Sequence, residues 1–554
     1  MGIPRFYKWI NDRYNVIDIV KMSISLPYKI VDYLFIDSNA IIHNCAQKVF
    51  NYGEKKRLIQ PYNNLSFEEK EMKIFELYYN KIIELTKIIK PRKVLYISID
   101  GVAPLSKIMQ QRQRRYMSSL KNSNNSNNSN TSNNSNNSNN SNVQFDPNCI
   151  TPGTSFMRKL NHYVCKRILE TGHKFCYKII FSPSWVPGEG EHKIICELRK
   201  EKYSSQDICI YGPDGDLIML ALLPRCKQMF ILRDNMFNCF DYDVINITIL
   251  KHHLIRDMNN TKINDDYKIN DFILIGFFVG NDFLPKIQMF YLLEDGMKIM
   301  LDIYSRLDES LVVNDGKINF SSFKKFVNEL QLIESSLLEK QINYNKEDRF
   351  SNKTLNNCSE DGKLNYEKYI SAYKLKIEQY SKYKNIVDDY YKGIIWVYQY
   401  YTIGCPTYRW FYPHYYAPLM VDFKKISDNK ITFEYCPPYL PFQQLLNVLP
   451  PKSKDLLPPN LSHILISSPY SKYCPTIFEI DYEGKYQEHQ GIALLPLVKL
   501  KTMEEMYNNN YVKDVHNKVG KIMIFKNFEG NKKYNTLFGE VSSNIKLYKR
   551  NLLT

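Results

Sequence analysis

Seven acidic residues of this chain lie beside glycines or directly after short apolar runs, where carboxylates can serve as metal ligands. They are Asp37, Asp100, Glu189, Glu191, Asp214, Asp216 and Asp282. Glycine lets the backbone and a ligand approach closely, and acids at i and i+2 of a turn can converge on one ion. Carboxylates gathered in one crevice would raise each other's pKa values, so we expect this acidic cluster to bind cations. Hard oxygen donors without His or Cys indicate Mg²⁺ or Mn²⁺, and two such ions could clamp an in-line phosphoryl displacement.

A basic helix face follows Asp100 closely. Between residues 107 and 115, four polar side chains stand at i, i+4, i+7 and i+8 and would share one face of a helix. They are Lys107, Gln111, Arg114 and Arg115. Such a set suits a terminal phosphate dianion. A solvated charged face or a nuclear-import cluster would have the same composition, but the position beside a metal acid favours phosphate binding.

Short apolar runs that end near these acids predict the strands of an α/β fold. The runs cover residues 33–36, 94–99, 177–181 and 208–211. Residues 67–90 carry apolar side chains at helical spacing and stop before a proline, which predicts an amphipathic helix between the first two strands. We therefore expect a mostly parallel central sheet flanked by helices. Binding sites in such sheets lie at the carboxyl ends of the strands, where the acids fall.

Polar and aromatic segments interrupt or follow this core. Residues 122–142 form an Asn/Ser/Thr tract that cannot bury apolar surface and predicts a disordered loop. A polar stretch around residues 343–362 predicts a linker or surface insertion. Residues 396–418 are rich in proline and aromatic side chains, and short strand-like and loop segments are expected from there to Thr554.

The composition narrows the class of protein. The chain has 554 residues and a net charge of +16, which suits a polyanionic partner, although an A/T-rich coding sequence would also enrich lysine. Its longest apolar run, residues 272–280, is shorter than the ~20 residues needed to span a bilayer, and no signal segment opens the chain. The twelve scattered cysteines predict reduced structural thiols. We expect a soluble, non-secreted protein without a membrane partner.

These ordered motifs resemble the Xrn family of 5′-to-3′ exoribonucleases, whose PIN-like fold is related to the 5′-nuclease superfamily that includes flap endonucleases. The matching segments are MGIPRFYKWI (1–10), FIDSNAIIHNC (35–45), YISIDGVAPLSKIMQQRQRR (96–115), FDPNCITPGTSFM (145–157), VPGEGEHKI (186–194), YGPDGDLIML (211–220), FFVGNDFLP (277–285) and WVYQYYTIGCPTYRWFYPHYYAP (396–418). The resemblance is near complete to about residue 285 and patchier beyond it. Because the chain ends before the long members do, we interpret it as a short form with the catalytic core only.

The resemblance implies an N-terminal nuclease domain over residues 1–300 and a second, helical and aromatic-rich lobe over residues 301–554. It implies two-metal hydrolysis by the acidic cluster and binding of the 5′-monophosphate of single-stranded RNA by the basic helix face. It also implies a column of stacked bases that runs from His43 toward Trp410. We expect a monomer that degrades RNA to mononucleotides in mRNA decay, in the cytoplasm, with the nucleus left open.

Two other functions stay open. A DNA-directed 5′ nuclease or flap endonuclease would use the same acids, because a metal site does not distinguish a 2′-hydroxyl from a hydrogen. A catalytically silent RNA-binding scaffold is the other alternative. Concentrated acids facing a polyanion argue against it, since a binding module gains nothing from them.

Overall fold

A computed structural model of the chain describes residues 3–548. Its gaps are residues 4, 22–30, 56–60, 128–144, 175–177, 236–237, 239–240, 291–292, 314–315, 343–348, 382, 428–430, 486, 512, 527–532, 537–538 and 543–544. Among the residues outside these gaps, no helix is long and apolar enough to cross a membrane. The ten cysteines in the described part of the chain are free thiols.

The described residues form seventeen strands. In chain order they are β1 Ile17–Lys21, β2 Tyr33–Asp37, β3 Val94–Ser98, β4 Lys178–Ser182, β5 Asp207–Tyr211, β6 Gln228–Asp234, β7 Asp241–Asn246, β8 Val312–Val313, β9 Lys317–Ile318, β10 Ser359–Glu360, β11 Lys363–Leu364, β12 Ile480–Asp481, β13 Ile492–Ala493, β14 Ile522–Lys526, β15 Lys533–Thr536, β16 Gly539–Ser542 and β17 Ile545–Tyr548. Nine of them make one sheet in the order β1-β7-β6-β5-β2-β3-β4-β14-β17. The five from β6 to β4 run parallel, and the edge strands on both sides are antiparallel. The remaining strands form two-stranded hairpins.

Seventeen α-helices occur in the same described residues. They are α1 Phe6–Arg13, α2 Asn39–Phe50, α3 Phe67–Ile89, α4 Leu105–Asn127, α5 Ser155–Thr171, α6 Gly190–Leu198, α7 Asp216–Ala221, α8 Ile247–Asp257, α9 Asp265–Gly276, α10 Leu293–Tyr304, α11 Phe320–Glu339, α12 Lys353–Asn356, α13 Tyr366–Glu378, α14 Ile386–Thr402, α15 Pro441–Val448, α16 Pro459–Ser462 and α17 Leu500–Asn509. The predicted helix over residues 67–90 is confirmed as α3. It begins at a capping box, in which Ser66 and Glu69 satisfy each other's backbone N–H groups.

Alternate residues of the central strands enter two apolar cores on opposite faces of the sheet. Leu34 and Ile36 of β2 pack with side chains of α2, α3 and α5. Phe35, between them, packs with side chains of α1 and α6 to α9. Both faces are therefore covered by helices, as parallel strands require. The predicted α/β class with a mostly parallel central sheet is confirmed.

The C-terminal region differs from the expectation. Residues 441–448 and 500–509 are helical as α15 and α17, where strand-like and loop segments were predicted. The strand β14 adds to the central sheet, antiparallel to β4, with Met523 opposite Phe181. Such long-range pairing leaves no local pattern that sequence reasoning can detect. Side chains of α1 and α14 also share one core, so the division at residue 300 stays a prediction.

Parts of both polar stretches form regular secondary structure. The helix α4 continues through Asn127, so the loop predicted from residue 122 does not begin there. The remainder of that tract, residues 128–142, lies outside the described residues. The predicted linker around 343–362 contains α12 and β10, and its residues 343–348 also lie outside the described part.

Candidate active site

The ends of the parallel strands bring the seven acids of the acidic cluster together. Asp37 is the last residue of β2, and Asp100 lies two residues after β3. Glu189 is the N-cap of α6 and Glu191 lies in its first turn. The other three acids lie in or beside loops: Asp214 just before α7, Asp216 at its first residue, and Asp282 after α9. The acids therefore lie close enough together at the carboxyl edge of the sheet to interact with one another.

Part of this cluster has the donor arrangement of a divalent-metal site. Oxygens of Asp37, Glu191 and Asp214 lie within 4.8 Å of one another. Three buried oxygens, Asp37 Oδ1, Glu191 Oε2 and Asp216 Oδ1, have no hydrogen-bond partner among the described residues. Buried polar atoms are rarely left unpaired without a reason, and an unplaced ion is one such reason. Because the donors are all carboxylate oxygens, the residues fit a hard divalent cation.

The protonation equilibria of the cluster reflect crowded negative charge. Burial, and then the neighbouring Asp100, raises the pKa of Asp37 well above its ordinary value. Burial and then Asp216 have the same effect on the pKa of Glu191. Burial and then Asp282 raise the pKa of Asp216 to about 7. Bound cations would reverse this effect, since opposite charges favour the ionised carboxylates.

Gly190 allows α6 to begin against two of the acids. Its N–H donates a 2.6 Å hydrogen bond to Oδ1 of Asp100. A Cβ at this position would lie 2.3 Å from Oδ1 of Asp37, so any side chain here would displace that carboxylate. The other oxygen of Asp100 accepts a 2.7 Å hydrogen bond from Nδ2 of Asn39. Asp100 is therefore held in one orientation by backbone and side chain.

Lys107 lies among the acids rather than apart from them. Its Nζ is 2.6 Å from Oε2 of Glu189 and 2.7 Å from Oδ2 of Asp282. Burial opposes the charge, but Asp282 and then Glu189 outweigh it and raise the pKa of Lys107 well above its ordinary value. The first residue of the predicted basic face is thus an internal counter-ion of the acidic cluster.

The other three residues of that face, with His43 of α2, form what we call the basic pocket. Gln111 is buried. Its Oε1 and Nη1 of Arg115 are buried atoms that have no hydrogen-bond partner in the described part of the chain. Arg114 is exposed. Burial, and then the charges of Arg114 and Arg115, lower the pKa of His43 to about 3. The His43 imidazole is therefore neutral at physiological pH and lies near two cations, and its expected base-stacking role stays a prediction.

The opposite side of α4 is anchored to the C-terminal region. Arg112 is buried and donates to the carbonyl oxygens of Asn447, at 2.9 Å, and of Tyr473. The N–H of Ala103 donates to Oε1 of Gln444 at 3.0 Å. Helical spacing could have identified Arg112 as structural, because five residues after Lys107 is the far side of the helix.

Two aromatic residues of the second region differ in their relation to the acids. Trp410 is half-buried and packs at 5.3 Å on Trp396, and its expected stacking role stays a prediction. Tyr400 was not foreseen. Its hydroxyl donates a 3.0 Å hydrogen bond to Glu189, and burial followed by the Glu189 charge raises the pKa of Tyr400 well above its ordinary value. The hydroxyl therefore stays a hydrogen-bond donor.

Comparison with known proteins agrees with these features. The family described as "XRN 5′-3′ exonuclease N-terminus" matches residues 1–235, and the "Xrn1 helical domain" matches 262–371 and 365–537. The chain is 28% identical to 5′-3′ exoribonuclease 1 of Homo sapiens, over 91% of this chain and 34% of that protein. It is 26% identical to 5′-3′ exoribonuclease 1 of Schizosaccharomyces pombe, over 90% and 48%, and 26% identical to 5′-3′ exoribonuclease 2 of Arabidopsis thaliana, over 91% and 67%.

The chain thus spans between about a third and two thirds of the length of these relatives. Among solved structures, the catalytic core of Rad2 in complex with DNA substrate aligns with 79% of this chain and 91% of its own, at 11% identity and a TM-score of 0.33. A likeness of that size carries no argument about fold or substrate.

Proposed function

This chain belongs to the Xrn family of 5′-3′ exonucleases, and on that premise we propose that it is a 5′-to-3′ exoribonuclease. It would degrade 5′-monophosphorylated single-stranded RNA to mononucleotides. The observation that carries the proposal is that α4 contacts the acidic cluster through Lys107 and carries Gln111, Arg114 and Arg115 of the basic pocket further along.

The spacing along α4 relates the two sites. Lys107, among the acids, and Arg115, in the pocket, are separated by roughly 12 Å along the helix axis at the ordinary rise per residue. A terminal phosphate in the pocket would leave the first phosphodiester bond near the acids. Arginine binds phosphate oxygens through paired N–H groups, so Arg114 and Arg115 are suited to hold the 5′ end. The neutral ring of His43 would stack the first base, which is worth ~1–3 kcal/mol and tolerates any sequence.

The acidic cluster would hold two Mg²⁺ ions, for which Mn²⁺ could substitute. When bound, such ions supply an activated water and neutralise charge on the scissile phosphate. The seven carboxylates of the cluster, Glu189 among them, would bind and orient them. Asn39 and Gly190 hold Asp100 in place, and Lys107 balances the charge of Glu189 and Asp282. The carboxylates thus supply metal binding, and α4 supplies recognition of the RNA end.

A pocket built for one phosphate would exclude a cap or a triphosphate by size. We also propose that the protein acts as a monomer in the decay of mRNA that carries a 5′-monophosphate, in the cytoplasm, with the nucleus left open.

One assay tests the proposal against both alternatives. Purified protein is incubated with 5′-monophosphate, 5′-triphosphate and 5′-hydroxyl RNA and with matching DNA, in Mg²⁺ or in EDTA, and the products are resolved by length. We expect mononucleotides from 5′-monophosphate RNA in Mg²⁺ alone, and none from an Asp214→Ala variant that still binds RNA. Internal cuts in branched DNA would indicate a DNA-directed nuclease. Binding without products would indicate a scaffold.

A further inference from the structure

Tyr400 belongs to α14, far along the chain from the acidic cluster, yet it contacts one of the acids. Its hydroxyl donates to Oε1 of Glu189 at 3.0 Å, and both residues are buried. Oε2 of the same carboxylate lies 2.6 Å from Nζ of Lys107. The two oxygens of Glu189 are therefore held by side chains from two different helices, α14 and α4.

The ring of Tyr400 packs against residues adjacent to other acids. It stacks on His192, with ring centroids 3.7 Å apart and an interplanar angle of 12°. His192 is the residue after Glu191. The edge of the Tyr400 ring also meets Phe283, the residue after Asp282, at 5.6 Å. With 3% of its surface exposed, Tyr400 has little freedom to move.

The other end of α6 is fixed to the same turn of α14. Arg199, the C-cap of α6, donates to the carbonyl oxygens of Tyr400 at 3.3 Å and of Tyr401 at 2.5 Å. The helix that carries Glu191, with Glu189 at its N-cap, is thus held at both ends by α14. Few conformations of this part of the cluster remain available.

We propose that Tyr400 is a positioning residue that orients Glu189 for metal binding. Hydrogen bonds to the atoms of metal-binding carboxylates fix their orientation, and losing such a partner typically weakens metal affinity by ~10–100-fold. Without this bond, the described contact that still holds the Glu189 carboxylate would be that of Lys107 to Oε2. This inference rests on the proposed function to the extent that both assign Glu189 to metal binding.

The test separates the hydroxyl from the ring. Tyr400→Phe retains the stacking on His192 and removes only the hydroxyl. We expect Mn²⁺ affinity, measured by electron paramagnetic resonance of the free ion, to fall roughly 10-fold. With 5′-monophosphate RNA, kcat should fall at limiting Mg²⁺ and recover at high Mg²⁺, while KM for RNA stays unchanged.

Tyr398→Phe is the matched control. Tyr398 is a buried tyrosine of the same helix, and the acid that contributes to the raised pKa of its hydroxyl is Asp271, outside the acidic cluster. This variant should bind Mn²⁺ as the wild type does. A double-mutant cycle adds a second readout, because in a Glu189→Gln background Tyr400→Phe should have no further effect on Mn²⁺ affinity.

Equal Mn²⁺ affinities of the wild type and Tyr400→Phe would overturn the proposal. So would a lower kcat at every Mg²⁺ concentration with unchanged Mn²⁺ binding, since that would indicate a role other than positioning a ligand. If Mn²⁺ binding weakens as expected but neither protein degrades RNA, the proposed function fails while the positioning role of Tyr400 stands.

Discussion

At the scale of single residues, the acidic cluster lowers the stability of the metal-free fold. Asp37, Glu191 and Asp216 each bury an oxygen without a hydrogen-bond partner in the described part of the chain. Leaving such a group unpaired costs about 1–3 kcal/mol. Repulsion among the carboxylates adds to that cost, and Lys107 offsets it most directly for its ion-pair partners Glu189 and Asp282. In the metal-free protein, a neutral residue in the cluster should therefore be better tolerated than the charged one.

Asp216→Asn tests this trade-off. Burial and then Asp282 raise the pKa of Asp216 to about 7, so at pH 8 its charge destabilises the metal-free fold. We expect the variant in EDTA at pH 8 to melt several degrees above the wild type. That gain should shrink as the pH falls from about 7 toward ~4, where the folded wild type already carries the proton that the unfolded chain lacks. Nuclease activity in Mg²⁺ should drop by at least roughly 100-fold.

Melting curves in EDTA and in Mg²⁺, with the nuclease assay on the same preparations, check both halves of this prediction. RNA binding by the variant, measured by fluorescence anisotropy, should match that of the wild type. A variant that melts below the wild type in EDTA at pH 8 would contradict the view that charge repulsion dominates at this position.

At the scale of elements, α4 has two faces with different tasks. One face directs Lys107 into the acidic cluster and Gln111 and Arg115 into the basic pocket. The opposite face is bound to the C-terminal region through Arg112 and the backbone of Leu105, whose N–H donates to the carbonyl of Tyr408 at 2.9 Å. Residues hundreds of positions later in the sequence thus hold α4 in place.

Substitutions on the face bound to the C-terminal region should therefore lower the stability, whereas substitutions on the face of the basic pocket should change the preference for the 5′ end of RNA. Arg112→Met removes two hydrogen bonds from a buried cation to carbonyl oxygens, and we expect it to lower the free energy of unfolding by roughly 3 kcal/mol.

Arg114→Ala combined with Arg115→Ala should leave urea denaturation nearly unchanged, because Arg114 is exposed and Nη1 of Arg115 has no partner in the described residues. The double variant should instead degrade 5′-monophosphate and 5′-hydroxyl RNA at similar rates. An unchanged preference for the monophosphate would refute the assignment of the pocket.

Local patterns in the sequence predict some of these elements and contacts but not others. Strands β2 to β5, α3 and the acids at the strand ends carry local patterns of burial and periodicity, so they were predictable. The contact between Tyr400 and Glu189 joins residues 211 positions apart, and the pairing of β14 with β4 is similarly distant. The phosphate-binding role of Lys107 follows from helical spacing, which orders residues around an axis, and it stays a prediction. Spacing does not reveal that the acids lie at one end of that face.

At the scale of the whole molecule, the excess positive charge has a definite distribution. The net charge is +16, yet several of the acids are buried together in the acidic cluster. The surface beyond that crevice is therefore more basic than the net charge suggests. A diffuse positive field attracts any polyanion, whereas the basic pocket would bind only a strand end. Salt dependence can separate the two contributions, because each phosphate contact of a single strand releases counterions.

We expect the affinity for 5′-monophosphate RNA to fall steeply with salt, and the pocket to account for a defined part of that slope. Each phosphate contact contributes roughly 0.7 to the slope of log K against log salt for single strands. In an Asp216→Asn background, which prevents degradation, Arg114→Ala with Arg115→Ala removes the contacts to one phosphate and should reduce the slope by roughly 0.7 for 5′-monophosphate RNA. The reduction should be much smaller for 5′-hydroxyl RNA.

The matched control is Lys262→Gln with Lys325→Gln, two exposed lysines near Asp308, which removes the same charge and should affect both RNAs equally. Anisotropy titrations from low to physiological salt measure the slopes. If the arginine variant changes the slope equally for the two RNAs, the basic pocket contributes only to the diffuse positive field and does not recognise the 5′-phosphate.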